Sequence, residues 1–136
     1  QAAAGCAQLE RLEEFVAKKR EIRAFYNKAF ADISAVLTFP EPQNEESACW
    51  FSGVVLRQGG LEDVRMLCGK LREKGIEARS FWKPIHLQKP YENAEKADTL
   101  DVSAGLWDRI LTLPCSTNIQ KDELAYVAEE VKAIIR

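Results

Sequence analysis

Residues 48–56 read ACWFSGVVL, and they form the clearest strand in the chain. This stretch is rich in aromatic and β-branched side chains, which suit an extended backbone. Gly59–Gly60 interrupts it, and apolar residues then recur at helical spacing from Leu61 to Lys74. Gly75 stands where a helix typically ends, and a second strand is predicted from Ile76 to Trp82. This strand–helix–strand order is typical of a small sheet covered by helices.

A long helical pattern precedes this unit. Apolar residues recur at helical spacing from Ala2 to Ile33, which predicts one uninterrupted helix. Such a helix would be about 45 Å long, which is long for a small domain, and no capping residue precedes it. We therefore expect this helix to be cut from a longer protein.

The second half of the chain predicts further helices and one more strand. Short helices are expected at Ala94–Leu100 and Val102–Trp107, and a buried strand at Arg109–Leu113. A last helix is expected at Lys121–Ile135, with acidic residues in its first turn, as the helix dipole prefers. The predicted fold class is α+β, with helices on one face of a small sheet.

The charge, apolar content and cysteine spacing of the chain argue against several classes of protein. The chain has 136 residues and a net charge of −2, which argues against a nucleic-acid surface or a polybasic membrane patch. No apolar run approaches the ~20 residues of a membrane span, and the first residues lack the pattern of a signal peptide. The four cysteines form no C-x-x-C pair, so a metal site is not expected. These features indicate a cytoplasmic protein in a reducing setting.

The stretch from Arg79 to Tyr91 is the most informative for function. It holds the chain's single histidine, His86, and two of its five prolines, Pro84 and Pro90. Prolines bar a helix or central strand from continuing, so a rigid, extended polar loop is predicted between them. Such a loop is suited to ligand recognition. The alternative is a buried crossover loop whose histidine and glutamine satisfy neighbouring backbone groups.

Motifs of catalysis are not evident in the sequence. There is no glycine-rich phosphate loop and no nucleophile-elbow pattern. The acidic residues follow helical surfaces, as solvated carboxylates do. The residues alone therefore predict one recognition loop and no assembled catalytic machinery.

Three strings of the sequence match a known pattern. They are LREKGIEAR at 71–79, WKPIHLQ at 82–88 and LTLPCSTN at 111–118. In this order they resemble the C-terminal part of the DegT/DnrJ/EryC1/StrS aminotransferases, which aminate keto-sugars on nucleotide carriers with pyridoxal phosphate. The resemblance implies the small C-terminal domain of the aspartate-aminotransferase fold, a type I pyridoxal-phosphate enzyme. It implies that residues 1–38 are a truncated interdomain helix and that residues 39–136 form the C-terminal α+β domain. It also implies a homodimeric parent protein that takes the amino group from an amino acid, with glutamate the expected donor.

The resemblance carries over substrate-side residues but no catalytic lysine. It implies that His86 faces the nucleotide-sugar and that its motif neighbours line the same site; these are Gln88, Tyr91, Trp82 and Arg79. In the family, the Schiff-base lysine and the phosphate-binding groups lie in the large domain. No lysine here stands in a matching context, so this fragment is expected to be inactive and to hold no pyridoxal phosphate.

Two positions depart from the family pattern. Cys115 stands where serine is common, and Gln120 stands where a serine or threonine cap is common. The second departure is expected to fray the last helix by about 1 kcal/mol.

Two alternatives stay open. Some relatives replace the Schiff-base lysine with histidine and act as sugar dehydratases, and the deciding residue lies outside this chain. The chain would instead be an independent α+β binding module if it occurred naturally without any preceding domain.

Overall fold

A computed structural model describes residues 2–40, 46–96 and 99–135. Its four strands are β1 (Val36–Thr38), β2 (Ser52–Leu56), β3 (Arg79–Ser80) and β4 (Ile110–Leu113). They form one antiparallel sheet in the order β1-β2-β4-β3. The central pair aligns Ser52 with Leu113 and Val54 with Leu111. The crossover places β4 in the middle of the sheet, although it comes last in the chain.

Five α-helices accompany the sheet: α1 (Ala2–Leu9), α2 (Leu12–Phe30), α3 (Leu61–Glu73), α4 (Asp101–Leu106) and α5 (Lys121–Ile135). Three single 3-10 turns lie at Ile85–Leu87, Lys89–Tyr91 and Trp107–Arg109. No helix in the described ranges is long and apolar enough to span a membrane. Those ranges also contain no group of three or more His, Cys, Asp or Glu residues that could hold a metal ion.

The core lies between one face of the sheet and three helices. Alternate strand residues supply the sheet's side, among them Val54, Leu56 and Leu111. α2, α3 and α5 supply the other side; their buried residues include Ile22, Tyr26, Phe30, Val64, Leu67, Leu71, Leu124, Val127 and Val131. The predicted α+β class is confirmed.

The prediction of one long first helix is wrong. The helix is interrupted at Glu10 and Arg11, where the Arg11 amide bonds to the Gln8 carbonyl at 3.2 Å. α1 contains no buried residue, so its apolar spacing is not enforced by packing. α2 ends at Phe30, and the chain then forms β1, which no sequence pattern indicated. β1 exists because it pairs with β2, a contact that local propensity does not reveal.

Residues 22–38 pack on the same core as the rest of the chain. Ile22 and Tyr26 of α2 are fully buried, and Val36 of β1 is 4% exposed. The division into a helix at 1–38 and a domain at 39–136 stays a prediction. The packing shows that the second half of α2 contributes to the domain's core.

Both predicted early strands are longer than the observed ones. The first begins at Ser52 rather than Ala48, because Cys49 has a positive φ of 49°, which breaks the extended run. The second is reduced to Arg79–Ser80. The short helix predicted at Ala94–Leu100 is absent at its described positions, while residues 97 and 98 lie outside the described residues. α4, β4 and α5 agree with the predicted elements to within a residue or two.

Gln120 departs from the usual capping residue, yet the start of α5 is bonded. The Gln120 amide donates to the Glu123 carboxylate at 2.8 Å, which is half of a capping box. The Gln120 side-chain amide donates to the Asn118 carbonyl at 2.7 Å. These bonds satisfy the Gln120 amide and the Asn118 carbonyl, whereas a serine cap would accept from an amide in the first turn of the helix.

Two glycines give a matched test of the sheet. At Gly53 an added Cβ would lie 2.1 Å from the Leu111 carbonyl oxygen, whereas at Gly69 in α3 it would meet nothing within 4 Å. We expect Gly53→Ala to lower the free energy of unfolding by about 1–3 kcal/mol or more, because the central strands must separate. Gly69→Ala should raise it by about 0.5–1 kcal/mol. Urea denaturation measures both, and equal effects would contradict the described pairing of β2 with β4.

Candidate functional site

The loop predicted to be extended is instead wound into two 3-10 turns. Pro84 directly precedes the turn Ile85–Leu87, and Pro90 lies in the opening of the turn Lys89–Tyr91. A proline's fixed φ suits the first turn of a helix, where its missing N–H is not needed. The prediction of an extended loop was therefore wrong because the prolines start turns here as well as stopping β3.

Gln88 closes this loop on itself. Its side-chain amide donates to the Lys83 carbonyl at 2.9 Å, and its own carbonyl accepts from the Tyr91 amide at 2.9 Å. Half-buried Gln88 therefore satisfies backbone groups, as the alternative interpretation of the loop expected. Its described bonds hold the shape of the site.

The imidazole of His86, unlike the amide of Gln88, has a nitrogen that is buried without a bond to the described backbone. Its Nε2 atom is buried and has no hydrogen-bond partner among the described residues. A buried polar atom that is left unpaired costs about 1–3 kcal/mol. His86 is therefore not explained as a histidine that satisfies the backbone around it through this nitrogen.

Arg79 and Tyr91 flank the loop on the surface. Arg79 donates to the Glu77 carboxylate at 2.6 Å, and both side chains are largely exposed. The hydrogen bond and charge of Arg79 hold the pKa of Glu77 below its ordinary value. At neutral pH Arg79 therefore carries a carboxylate partner that an anionic ligand would have to replace. Tyr91 is 49% exposed at the end of the second turn.

Trp82 belongs to an aromatic cluster that the sequence did not predict. We define the aromatic cluster as Trp50, Phe51, Phe81 and Trp82. Ring centroids lie 5.1 Å apart for Phe51 and Trp82 and 6.1 Å apart for Trp50 and Trp82, both in edge-to-face geometry. Trp50 and Trp82 are 67% and 62% exposed, although each rests on phenylalanine. The chain therefore presents two indole rings to its surroundings beside the polar loop.

Basic side chains of α2 hold the Trp50 end of this cluster. Lys19 Nζ donates to the carbonyl oxygens of Trp50 at 2.9 Å and Cys115 at 2.6 Å. Arg20 donates to the Ser47 carbonyl at 2.9 Å, and Arg23 donates to the Phe51 carbonyl. Three donors on one helix thus satisfy the carbonyl groups of a segment that has left the sheet.

Arg23 is the most buried of these donors. It is 7% exposed, and its guanidinium carbon lies 4.8 Å from the centre of the Phe39 ring. A cation over an aromatic ring is stabilised by about 0.5–2 kcal/mol, most when water is excluded. The ring and the Phe51 carbonyl offset part of the cost of burying this charge, because the buried Nε atom of Arg23 has no hydrogen-bond partner among the described residues. The spacing of Lys19, Arg20 and Arg23 at i, i+1 and i+4 was visible in the sequence, but their carbonyl partners were not.

A groove lies on another part of the surface, away from residues 79–91. It has a volume of about 670 Å³ between the turn after α3 and the start of α5. Its lining includes the carboxylates of Glu77, Asp122 and Glu123, together with Tyr126. Like charges repel, so this groove is poorly suited to a phosphorylated ligand. Residues 79–91 do not line it, and the recognition loop is an open surface beside the aromatic cluster.

A model described as the DegT/DnrJ/EryC1/StrS aminotransferase family matches residues 1–132. The chain belongs to the DegT/DnrJ/EryC1/StrS aminotransferase family. The family resemblance drawn from the three sequence strings is therefore confirmed. Members of this family are similar to the chain in sequence and in structure.

Similar sequences include EpsN of Bacillus subtilis (strain 168), a protein named as a pyridoxal phosphate-dependent aminotransferase. It is 35% identical over 131 residues, which is 94% of this chain and 33% of EpsN. GDP-perosamine synthase of Escherichia coli O157:H7 is 28% identical over 130 residues, which is 96% of this chain and 34% of that protein. The chain thus spans about a third of the length of the curated relatives that it matches.

Solved structures show the same fold. A DegT/DnrJ/EryC1/StrS aminotransferase from Brucella abortus superposes with a TM-score of 0.82 and 25% identity, over 98% of this chain and 35% of that chain. The aminotransferase PseC of Helicobacter pylori superposes with a TM-score of 0.83 and 20% identity, over 99% of this chain and 36% of that chain. The predicted fold, the small domain of a type I pyridoxal-phosphate enzyme, is confirmed.

The buried guanidinium of Arg23 can be tested against its exposed neighbour. Arg23→Gln should lower the free energy of unfolding by about 1.5–3 kcal/mol, because the charged donor to the Phe51 carbonyl is lost. Arg20→Gln should change it by no more than about 0.5 kcal/mol, because its contacts are exposed. Urea denaturation followed by tryptophan emission measures both variants. Equal losses would show that burial of Arg23 does not anchor the segment.

Proposed function

We propose that this chain is the C-terminal, substrate-side domain of a pyridoxal phosphate-dependent aminotransferase. The complete enzyme would move an amino group from an amino acid, with glutamate the predicted donor, to a keto group of a nucleotide-linked sugar. The observation that carries the proposal is the family match over nearly the whole chain. The relatives' names agree with the sugar substrate: one is GDP-perosamine synthase, and another, from Saccharopolyspora spinosa, is dTDP-4-dehydro-2,3,6-trideoxy-D-glucose 4-aminotransferase.

The proposed nucleotide-sugar site is the loop with the aromatic cluster. Trp82 offers an exposed aromatic face, and rings of this kind stack on bases with about 1–3 kcal/mol each. Arg79 supplies a cation, and Tyr91 an exposed phenol hydroxyl, for sugar or diphosphate oxygens. His86 supplies the imidazole at the centre of the loop, and Gln88 fixes the loop's shape through Lys83.

The residues described here do not fit a complete pyridoxal-phosphate site. Lys19 is held by two carbonyl oxygens, and Lys18 and Lys132 form surface ion pairs with Glu21 and Glu129. No lysine among residues 2–40, 46–96 and 99–135 lines the acidic groove. We therefore propose that the cofactor is held by other parts of the complete enzyme, and we derive no chemical step from this chain.

The remaining predictions concern the complete protein. An aminotransferase is preferred to a sugar dehydratase because the relatives' names describe amino transfer. The homodimer and the cytoplasmic setting stay predictions that follow from the family resemblance and the sequence composition.

The role of His86 can be tested in the complete enzyme. His86→Ala should lower kcat/KM for the keto-sugar half-reaction about 10- to 150-fold, the equivalent of losing a bond worth about 1.5–3 kcal/mol. The half-reaction with the amino donor should barely change, because that substrate would not touch this loop. Each half-reaction is followed separately through the cofactor's absorbance.

Lys89→Ala is the matched control for His86→Ala. Lys89 lies in the same loop, is exposed and has no proposed role. Its substitution should leave both half-reactions unchanged. If His86→Ala slows both half-reactions equally, His86 supports the fold or the cofactor; if it slows neither, the proposed contact with the sugar is wrong.

Cofactor binding by the chain itself gives a second test. After mixing with pyridoxal phosphate and borohydride reduction, the chain should carry no stoichiometric adduct at one specific lysine. Mass spectrometry of the intact chain and its peptides measures this. A single fully labelled lysine within residues 2–135 would overturn the assignment of the cofactor site to other parts of the enzyme.

A further inference from the structure

The amine of Lys19 and the thiol of Cys115 lie in contact, and neither group is proposed to contact the nucleotide-sugar. Lys19 Nζ is 3.5 Å from Cys115 Sγ, although the two residues are 96 positions apart in the sequence. The contact joins α2 to the segment that directly follows β4. A nucleophilic amine beside a thiol is a pair with chemistry of its own.

The surrounding backbone holds both groups in place. The carbonyl oxygens of Cys115 and Trp50 accept from Lys19 Nζ at 2.6 and 2.9 Å. The Cys115 thiol in turn lies 3.4 Å from the Trp50 carbonyl oxygen. Both side chains are half-buried, so they are shielded from much of the solvent but reachable by a small molecule. Reacting groups held at this separation need little further motion to bond.

We propose that Lys19 and Cys115 form a covalent cross-link when the protein meets a peroxide. In the first step the Cys115 thiol attacks the peroxide; the O–O bond breaks, sulfur is oxidised to a sulfenic acid, and one water leaves. In the second step the Lys19 ammonium releases a proton to solvent, and the neutral Nζ attacks that sulfur. An N–S bond forms, the S–O bond breaks, and the hydroxyl leaves as water with a proton from the amine. The product is a sulfenamide that bridges the two side chains.

The other cysteines lack such a partner. Burial raises the pKa of the Cys68 thiol, which keeps it protonated at neutral pH. Cys49 is 3% exposed, and Cys6 is exposed on α1. All four described cysteines are free thiols. Cys115 is the one for which the described residues provide a lysine in contact.

The cross-link would change the aromatic cluster. A sulfenamide nitrogen carries no charge and a single hydrogen, so Lys19 could no longer donate to both the Trp50 and the Cys115 carbonyls. The segment that presents Trp50 would lose its charged anchor, while α2 would become tethered to residue 115. Oxidation would therefore change the surroundings of the exposed Trp50 and Trp82 indoles.

The experiment is peptide mapping of the whole chain after treatment with hydrogen peroxide. We expect a peptide pair joined through Lys19 and Cys115, lighter than the sum of its parts by a pair of hydrogen atoms. It should disappear after reduction with dithiothreitol. A joined pair that retains one oxygen atom, as an N–O–S bridge, supports the same pairing. The emission of the tryptophans should shift on oxidation and return on reduction.

The controls separate this reaction from general thiol damage. Lys19→Arg, which keeps a charged donor, and Cys115→Ser should each abolish the joined peptide. Cys49→Ser and Cys68→Ser should retain it. The proposal is overturned if wild-type Cys115 is oxidised to sulfinic acid, or to a disulfide with another cysteine, without any joined Lys19 peptide. This result depends on the wild-type protein alone, so a poorly folded variant does not obscure it.

Discussion

The proposed recognition surface depends on charged side chains of α2 that donate to backbone carbonyls. The segment before β2 leaves the sheet at Cys49, so the carbonyls of Trp50 and Phe51 need donors from outside the sheet. Lys19 and Arg23 provide them. These donors act together with the ring contacts of the aromatic cluster to keep Trp50 and Phe51 packed against Trp82. α2 thus packs apolar side chains into the core and also donates hydrogen bonds to the segment that carries Trp50 and Phe51.

This arrangement places the proposed recognition surface on an open face of the domain. The cluster and the loop after β3 form an open face, and the deeper groove near α5 is lined by carboxylates. An open face with exposed indoles is suited to a site that other parts of a longer protein complete. The chain spans about a third of the length of these relatives, which agrees with a site that is only partly formed by this chain.

Much of the fold could be predicted from local patterns, because α3, β4 and α5 combine strong periodicity with clear terminal residues. β1 could not, because three residues become a strand only through pairing with β2. The position of the loop after β3 was predicted correctly, whereas its 3-10 turns and the partners of Trp82 depend on tertiary contacts. The binding role of the loop stays a prediction. The Gln88 side chain donates to the Lys83 carbonyl, as the alternative interpretation of the loop expected. The Nε2 atom of His86 makes no such bond among the described residues.

The central claim is that the face formed by residues 79–91 and the aromatic cluster meets the nucleotide-sugar. Hydrogen–deuterium exchange of the complete protein, with and without a nucleotide-sugar, tests it most directly. The account predicts slower exchange in peptides that cover residues 47–51 and 79–91, with no change in peptides that cover the start of α5. Protection confined to the groove at Glu77, Asp122 and Tyr126, with residues 79–91 unchanged, would contradict it.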